Sequence, residues 1–252
     1  MKGTYFQKPL EFNVLIDGES WHQGHTISGS LKVKNHGPEV KNLSDIGVQL
    51  GFAQAKKLKA KDSECFEISS KSYFDESETL NEGEEKEMSW SFTLAEDALI
   101  TEKNAGQYLL YGTTQGIWQG GQLELNILPS PVIQKFFEIF ELFFRFKVKE
   151  FKNKKGLVDA KMVAPQNREY ANIKALNCQI KNIDSKLIIK YIFKLKKIDY
   201  LENEMKLKDE TQKMDFELGP KDYLMFGKDI DQTKVENHLR SVLDNVLKIK
   251  KF

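Results

Sequence analysis

Residues 128–146 read Leu-Pro-Ser-Pro-Val-Ile-Gln-Lys-Phe-Phe-Glu-Ile-Phe-Glu-Leu-Phe-Phe-Arg-Phe. Prolines at 129 and 131 resist continuation of either a sheet or a helix. Ser130 can cap a helix, and Pro131 suits its first position. From Val132 on, the polar residues Gln134, Lys135, Glu138, Glu141 and Arg145 recur every three or four positions, and the rest are apolar. That spacing predicts a helix with a wide apolar surface and one narrow wet stripe, on which Glu141 and Arg145 stand as an i,i+4 pair. At about 15 residues it is too short to span a bilayer. Five phenylalanines between 136 and 144 would be a liability if exposed. The expectation is a linker helix over 129–146, buried between the two halves of the chain and fixing their relative orientation.

Composition changes at the same place. The chain has 252 residues, 38 Lys+Arg and 37 Asp+Glu, for a net charge of +1. Residues 1–128 hold 12 Lys and no Arg against 19 acidic residues, a net charge of −7, whereas residues 129–252 hold 26 basic against 18 acidic, a net charge of +8. A near-neutral total hides an acidic half and a basic half, and the boundary is placed at 128. Hydrophobic content of 40% excludes wholesale disorder. Two cysteines, Cys65 and Cys178, are too few and too distant for a disulfide framework or a structural zinc cluster. The N-terminal stretch 1–14 has no apolar core of a signal peptide, and no run of about 18 apolar residues exists. A cytoplasmic protein is expected.

Upstream of the boundary the period is two. Phe12, Val14 and Ile16 alternate with polar neighbours. So do Ile27, Gly29, Leu31 and Val33, then Ile46, Val48 and Leu50. Phe66/Ile68, Met88/Trp90/Phe92/Leu94, Leu109/Tyr111 and Leu123/Leu125/Ile127 follow. Each such strand can bury one face, and their spacing predicts a β-sandwich over 1–128. Downstream, 157–164, 173–180, 187–195 and 214–218 read as a second sandwich over 147–230. A C-terminal helix over 231–252 is announced by a capping-box pattern, Thr233 to Glu236. It continues through Val235, Leu239, Val242, Leu243, Val246 and Ile249, and its terminal Lys248, Lys250 and Lys251 suit the helix dipole. The predicted fold class is all-β, two sandwiches plus these two helices.

Three stretches resemble a known family. Trp21-His22-Gln23-Gly24-His25-Thr26-Ile27-Ser28-Gly29-Ser30-Leu31-Lys32-Val33 is similar to the aromatic–x–Pro–Gly–Glu–x–Val–x–Gly–x–Val pattern of the bacterial sporulation-control family called stage-zero protein M, which is arrestin-like. Gly24 would make the turn and Gly29 would let a neighbouring backbone approach. Ile46–Leu50 matches the next strand, and Leu80–Leu94 resembles the family's acidic Gly-Glu turn feeding an aromatic strand. The segment after Pro129-x-Pro131 resembles the family's inter-sandwich connection. Gln23 and His25 stand where the family usually has Pro and Glu, and Ala95 and Ala98 where it usually has prolines. The resemblance implies a cytoplasmic, non-enzymatic regulator or adaptor with two arrestin-like sandwiches.

Residues capable of chemistry do not assemble into a motif. His22 and His25 lack a third ligand in sequence. His36 reads as a turn residue, and His238 falls on the expected polar side of the last helix. Asp229-Ile230-Asp231 is too short for a calcium loop. Neither a nucleophile elbow nor a phosphate loop is present. Glu82, Glu84, Glu85 and Glu87 read as a solvated turn. No cofactor, no metal and no enzyme activity are expected. The candidate partner-binding residues are Trp118, next to glycines in a loop, Arg145 and Lys149 at the end of the linker helix, and Lys186, Lys190 and Lys194, which share one strand face. Expected partners are proteins, taken up by sandwich edge strands and a concave inter-domain face, with a homodimer through edge strands as a further use of the same edges. The alternative is an anionic membrane surface reached by the basic half. Nucleic acid is not expected, because basic and aromatic residues do not interleave in a known motif.

Overall fold

The computed structural model describes residues 1–60, 64–114, 117–201, 204–227 and 229–248, with the backbone alone at 118, 197–201, 204–207 and 248. The chain divides into two compact units, Met1–Leu128 and Pro129–Phe252.

In the first unit the alternating segments become strands β1 (Lys2–Gln7), β2 (Leu10–Ile16), β3 (Thr26–Asn35), β4 (Ile46–Gln54), β5 (Phe66–Tyr73), β6 (Glu85–Thr93), β7 (Ala105–Thr113) and β8 (Gly121–Leu125). They form two antiparallel four-stranded sheets, ordered β1-β2-β3-β6 and β8-β7-β4-β5. The sheets bury a common core. Phe12, Val14, Ile16, Ile27, Leu31, Val33, Trp90 and Phe92 come from one, and Ile46, Val48, Leu50, Leu109, Tyr111 and Leu125 from the other. This is the face-to-face packing that period-two patterning dictates. Gly24 turns the chain at φ +81°, and a Cβ on Gly29 would lie 2.0 Å from Leu15 O and 2.8 Å from the Trp90 ring. Both glycines therefore do what their places in the sequence pattern require. Strand β1 has no counterpart in the sequence reading.

The second unit begins with helix α1 (Pro131–Phe144), whose cap is as expected: Ser130 Oγ accepts from Ile133 N at 3.4 Å. An antiparallel meander follows: β9 (Lys147–Lys154), β10 (Leu157–Val163), β11 (Ile173–Ile183), β12 (Lys186–Leu201) and β13 (Glu204–Leu218), hydrogen-bonded in that order. Helix α2 (Gln232–Lys248) completes it. One sheet face carries Val158, Ala160, Met162, Leu176, Cys178, Ile180, Leu187, Ile189, Tyr191 and Phe193, all buried. The chain is mainly β, as its patterning implies. The layer opposite this second sheet is supplied by α1 and α2.

Helix α1 packs its aromatic face within the second unit. Phe137 meets Phe151 of β9 (ring centroids 5.3 Å), Phe140 meets Phe146 (5.1 Å), and Arg240 of α2 lies over Phe144 (5.6 Å). The helix departs from expectation in two respects. Leu142 and Phe143 are exposed, at 70% and 43%. The Glu141–Arg145 pair is not formed, because Arg145 leaves the helix in the left-handed conformation (φ 57°), and Glu141 Oε1 instead accepts Val148 N at 2.8 Å.

Two readings of the C-terminal helix are also corrected. Its cap is Asp231, whose Oδ1 accepts from Lys234 N at 3.2 Å, not Thr233. His238 faces the sheet and not the solvent, its Nε2 3.1 Å from Tyr191 Oη. Val235, Leu239, Val242, Leu243 and Val246 are buried as their spacing demands, and Ile249, Lys250 and Lys251 lie outside the described residues. Among the described residues, no helix is long and apolar enough to cross a membrane.

Candidate functional site

A sandwich has two open sides, and in the first unit they differ. On one side edge strand β1 lies against edge strand β8. Thr113 Oγ1 donates to Gln7 Oε1 at 3.0 Å, and a Cβ on Gly3 would stand 2.6 Å from Tyr111 Oη. On the other side the edges are β5 and β6, and here a groove of about 400 Å³ opens between the start of β5 and the strip 93–99 that follows β6. Leu50, Phe52, Ile68, Leu94 and Leu99 line it, with Glu67, Asp97 and Gln107.

The strip is held by the turn at Gln23 and Gly24. Gln23 Nε2 donates to Ala98 O at 2.6 Å, and Gly24 N to Ala95 O at 3.1 Å. The glutamine replacing one family proline thus reaches a carbonyl at the position of another. On the opposite wall the register of β5 against β4 shifts between Leu50 and Gly51, leaving Ser69 in a bulge. Its Oγ donates to Leu50 O at 3.2 Å. Bulges of this kind interrupt an edge and re-aim a side chain. Beyond the bulge β5 is regular. Phe74 N donates to Ile46 O, so in antiparallel alternation the main chains of Ser72 and Ser70 also face β4. Those of Lys71 and Tyr73 face away from it. Strand β6 keeps an uninterrupted register with β3 from Glu85 to Thr93, and its other edge has no strand partner among the described residues.

Gln107 is the unusual group. It pairs in register with Phe52 and Leu125 and shares the inward parity of Leu109 and Tyr111. Its side chain is 6% exposed. Nε2 donates to Leu99 O at 3.4 Å, while Oε1 is buried and has no hydrogen-bond partner among the described residues. A buried carbonyl without a donor is costly. Chemically the groove offers an apolar floor, one unsatisfied neutral acceptor, strand edges and two carboxylates at its rim. The sequence held one signal for it: a polar residue at 107 in phase with the apolar 109 and 111.

Of the residues expected to bind partners, the lysines of β12 share one strand face, as their parity predicts. Lys186 and Lys190 lie on the outer face of β12, paired with Glu217 (2.8 Å) and Asp215 (3.5 Å) of β13. Lys194 stands opposite Thr211 and close enough to Asp209 to lower that carboxyl's pKa, behind the larger effect of Lys174. Arg145 and Lys149 are at the start of β9, separated from β12 by two strands. Lys149 lines a hollow of about 360 Å³ with Glu138, Glu141 and Glu150. Trp118 belongs to the first unit, in a short 3₁₀ turn Ile117–Gln119, and its side chain lies outside the described residues.

The remaining acids and histidines have local roles. Glu84 accepts from Asn81 N and Nδ2 (2.8 and 2.9 Å), which lowers its pKa, and Lys32 lies 3.1 Å from Glu85 and 4.0 Å from Glu87. His36 Nε2 is 2.7 Å from Glu11 Oε2. The His22 and His25 rings meet edge-on at 5.0 Å. Burial pushes the Cys178 thiol well above its usual pKa, the behaviour of an inert core residue.

No family model and no curated protein sequence matches the chain. Among solved structures, β-glucosidase from Listeria innocua in complex with isofagomine matches 47% of this chain and 16% of its own at 14% identity and a TM-score of 0.30. The Pseudomonas fluorescens alkylpurine DNA glycosylase AlkC, bound to DNA containing an abasic site analog, matches 47% and 30% at 11% identity and a TM-score of 0.30. Similarities so slight carry no argument. The crystal structure of Spo0M, the sporulation control protein from Bacillus subtilis, matches 95% of this chain and 99% of its own at 16% identity and a TM-score of 0.66. Nearly the whole chain is therefore folded like this sporulation control protein.

Proposed function

We propose that the protein is a cytoplasmic, non-catalytic regulatory scaffold that captures an extended segment of a protein partner by strand addition at the open seam of its first unit. The observation carrying this reading is the apolar groove that opens beside the edge strands β5 and β6. An extended chain laid there gains main-chain hydrogen bonds from the edge and specificity from alternate side chains. The shared fold with a sporulation control protein supports a regulatory role. The acids that pair Lys186 and Lys190 favour a protein partner over the anionic-lipid alternative.

Lys71→Pro provides the test. Its amide faces away from β4, so proline removes a donor from the free edge without breaking the β4–β5 ladder. Peptides selected on the intact protein from a random display library should bind the variant at least about tenfold more weakly, a loss of about 1.4 kcal/mol. Equal binding to both proteins would overturn strand addition at β5. Turnover on a broad substrate panel, lost on changing one polar residue, would overturn the non-catalytic reading.

A further inference from the structure

The proposed seam has a chemical preference that its geometry spells out. Gln107 Oε1 is a buried neutral acceptor with no donor among the described residues, in a groove otherwise floored by Leu50, Phe52 and Leu94. A charged donor entering that floor would lose its hydration against a single neutral partner, whereas an amide or hydroxyl donor meets an acceptor already desolvated. At the rim the situation reverses. Glu67 and Asp97 are exposed, and the first unit carries a net charge of −7, so basic groups are attracted where solvent still reaches them.

Resting on the strand-addition reading above, we infer that the groove selects an extended segment with a neutral hydrogen-bond donor (Asn, Gln, Ser or Thr) beside an apolar side chain and basic residues on its flanks. Gln107 acts as the specificity-determining residue. Because Oε1 is closed off from solvent in the free protein, the Gln107 amide turns towards the bound segment, the donor satisfies Oε1, the neighbouring apolar side chain covers the floor, and the flanking cations sit against Glu67 and Asp97. An apolar side chain at the donor position would leave Oε1 buried and unpaired in the complex as well as in the free protein.

The test uses a positional-scanning library of short synthetic peptides on the full-length protein. Expected is one position preferring Asn, Gln, Ser or Thr over Leu by about tenfold, as for one hydrogen bond to a buried acceptor, with Lys or Arg enriched on its flanks. Gln107→Met, which keeps the volume and removes the acceptor, should abolish that preference while binding the Leu peptide as well as before. Glu67→Lys with Asp97→Lys should remove the basic enrichment. Tryptophan emission of each variant checks folding, since Trp21 and Trp90 are buried in this unit. A donor preference that survives Gln107→Met overturns the inference, as do enriched acidic flanks. Binding that is lost in Lys71→Pro but indifferent to Gln107→Met leaves strand addition standing and sinks this inference alone. Binding indifferent to Lys71→Pro but dependent on Gln107 sinks strand addition and keeps the groove. Absence of any bound peptide overturns both.

Discussion

His238 packs edge-on against Phe216, ring centroids 4.9 Å apart, and burial pushes its pKa from 6.5 down to about 4. The native state therefore holds this imidazole neutral at pH values where the unfolded chain protonates it. Its contribution to stability is complete above about pH 6.5 and is lost as pH falls from there towards about 4. Allowing for partial solvent access, the loss is about 2 kcal/mol. Urea unfolding of the wild type and of His238→Gln at pH 7.5 and pH 5, where somewhat over half of that loss has accrued, should show the wild type losing about 1 kcal/mol more; equal losses would contradict the account. Gly29 makes the complementary case. With Leu15 O and the Trp90 ring occupying the space a Cβ needs, Gly29→Ala should cost about 2–3 kcal/mol in the same measurement. Position 29 was legible from its place in the strand pattern. His238 was not, because a histidine between Asn237 and Leu239 looks polar until β12 places Tyr191 beneath it.

At the scale of elements, helix α1 separates what periodicity reveals from what it hides. Its polar stripe and cap follow from spacing and from Ser130. Its end does not, since Arg145 takes a left-handed conformation with no glycine to announce it. Phe140 is fully buried and Leu142 is 70% exposed, although both looked equally apolar in sequence. Phe140→Ala should cost about 3–5 kcal/mol, while Leu142→Ser should stay within about 0.5 kcal/mol. Guanidinium unfolding followed by far-UV circular dichroism checks both. Strand β9 is not legible in the sequence because Val148 and Phe151 fall out of period-two phase across its bulge. Helix α2 is legible from its apolar spacing, but its cap is Asp231 and not Thr233. The groove was hidden for a different reason. It is made by segments far apart in the chain, and only Gln107 breaks an apolar phase locally.

At the scale of the molecule, the step from −7 to +8 in charge and the double proline coincide with the division between the two units. Each unit has a core of its own, and Trp21, Trp90 and Trp118 all belong to the first. Tryptophan emission therefore reports the sandwich, and far-UV circular dichroism reports both units. Phe140→Ala should shift the circular dichroism transition to lower denaturant and leave the tryptophan transition in place. A common shift in both signals would contradict separate cores.

The central claim is capture of an extended chain at the open seam, and amide hydrogen exchange on the full-length protein tests it most directly. In the presence of a saturating selected peptide, the account predicts slowed exchange at β5 and along 93–99, with β1, β8 and the second unit unchanged. Protection at β9 or β13, or none anywhere while the peptide remains bound, would contradict it.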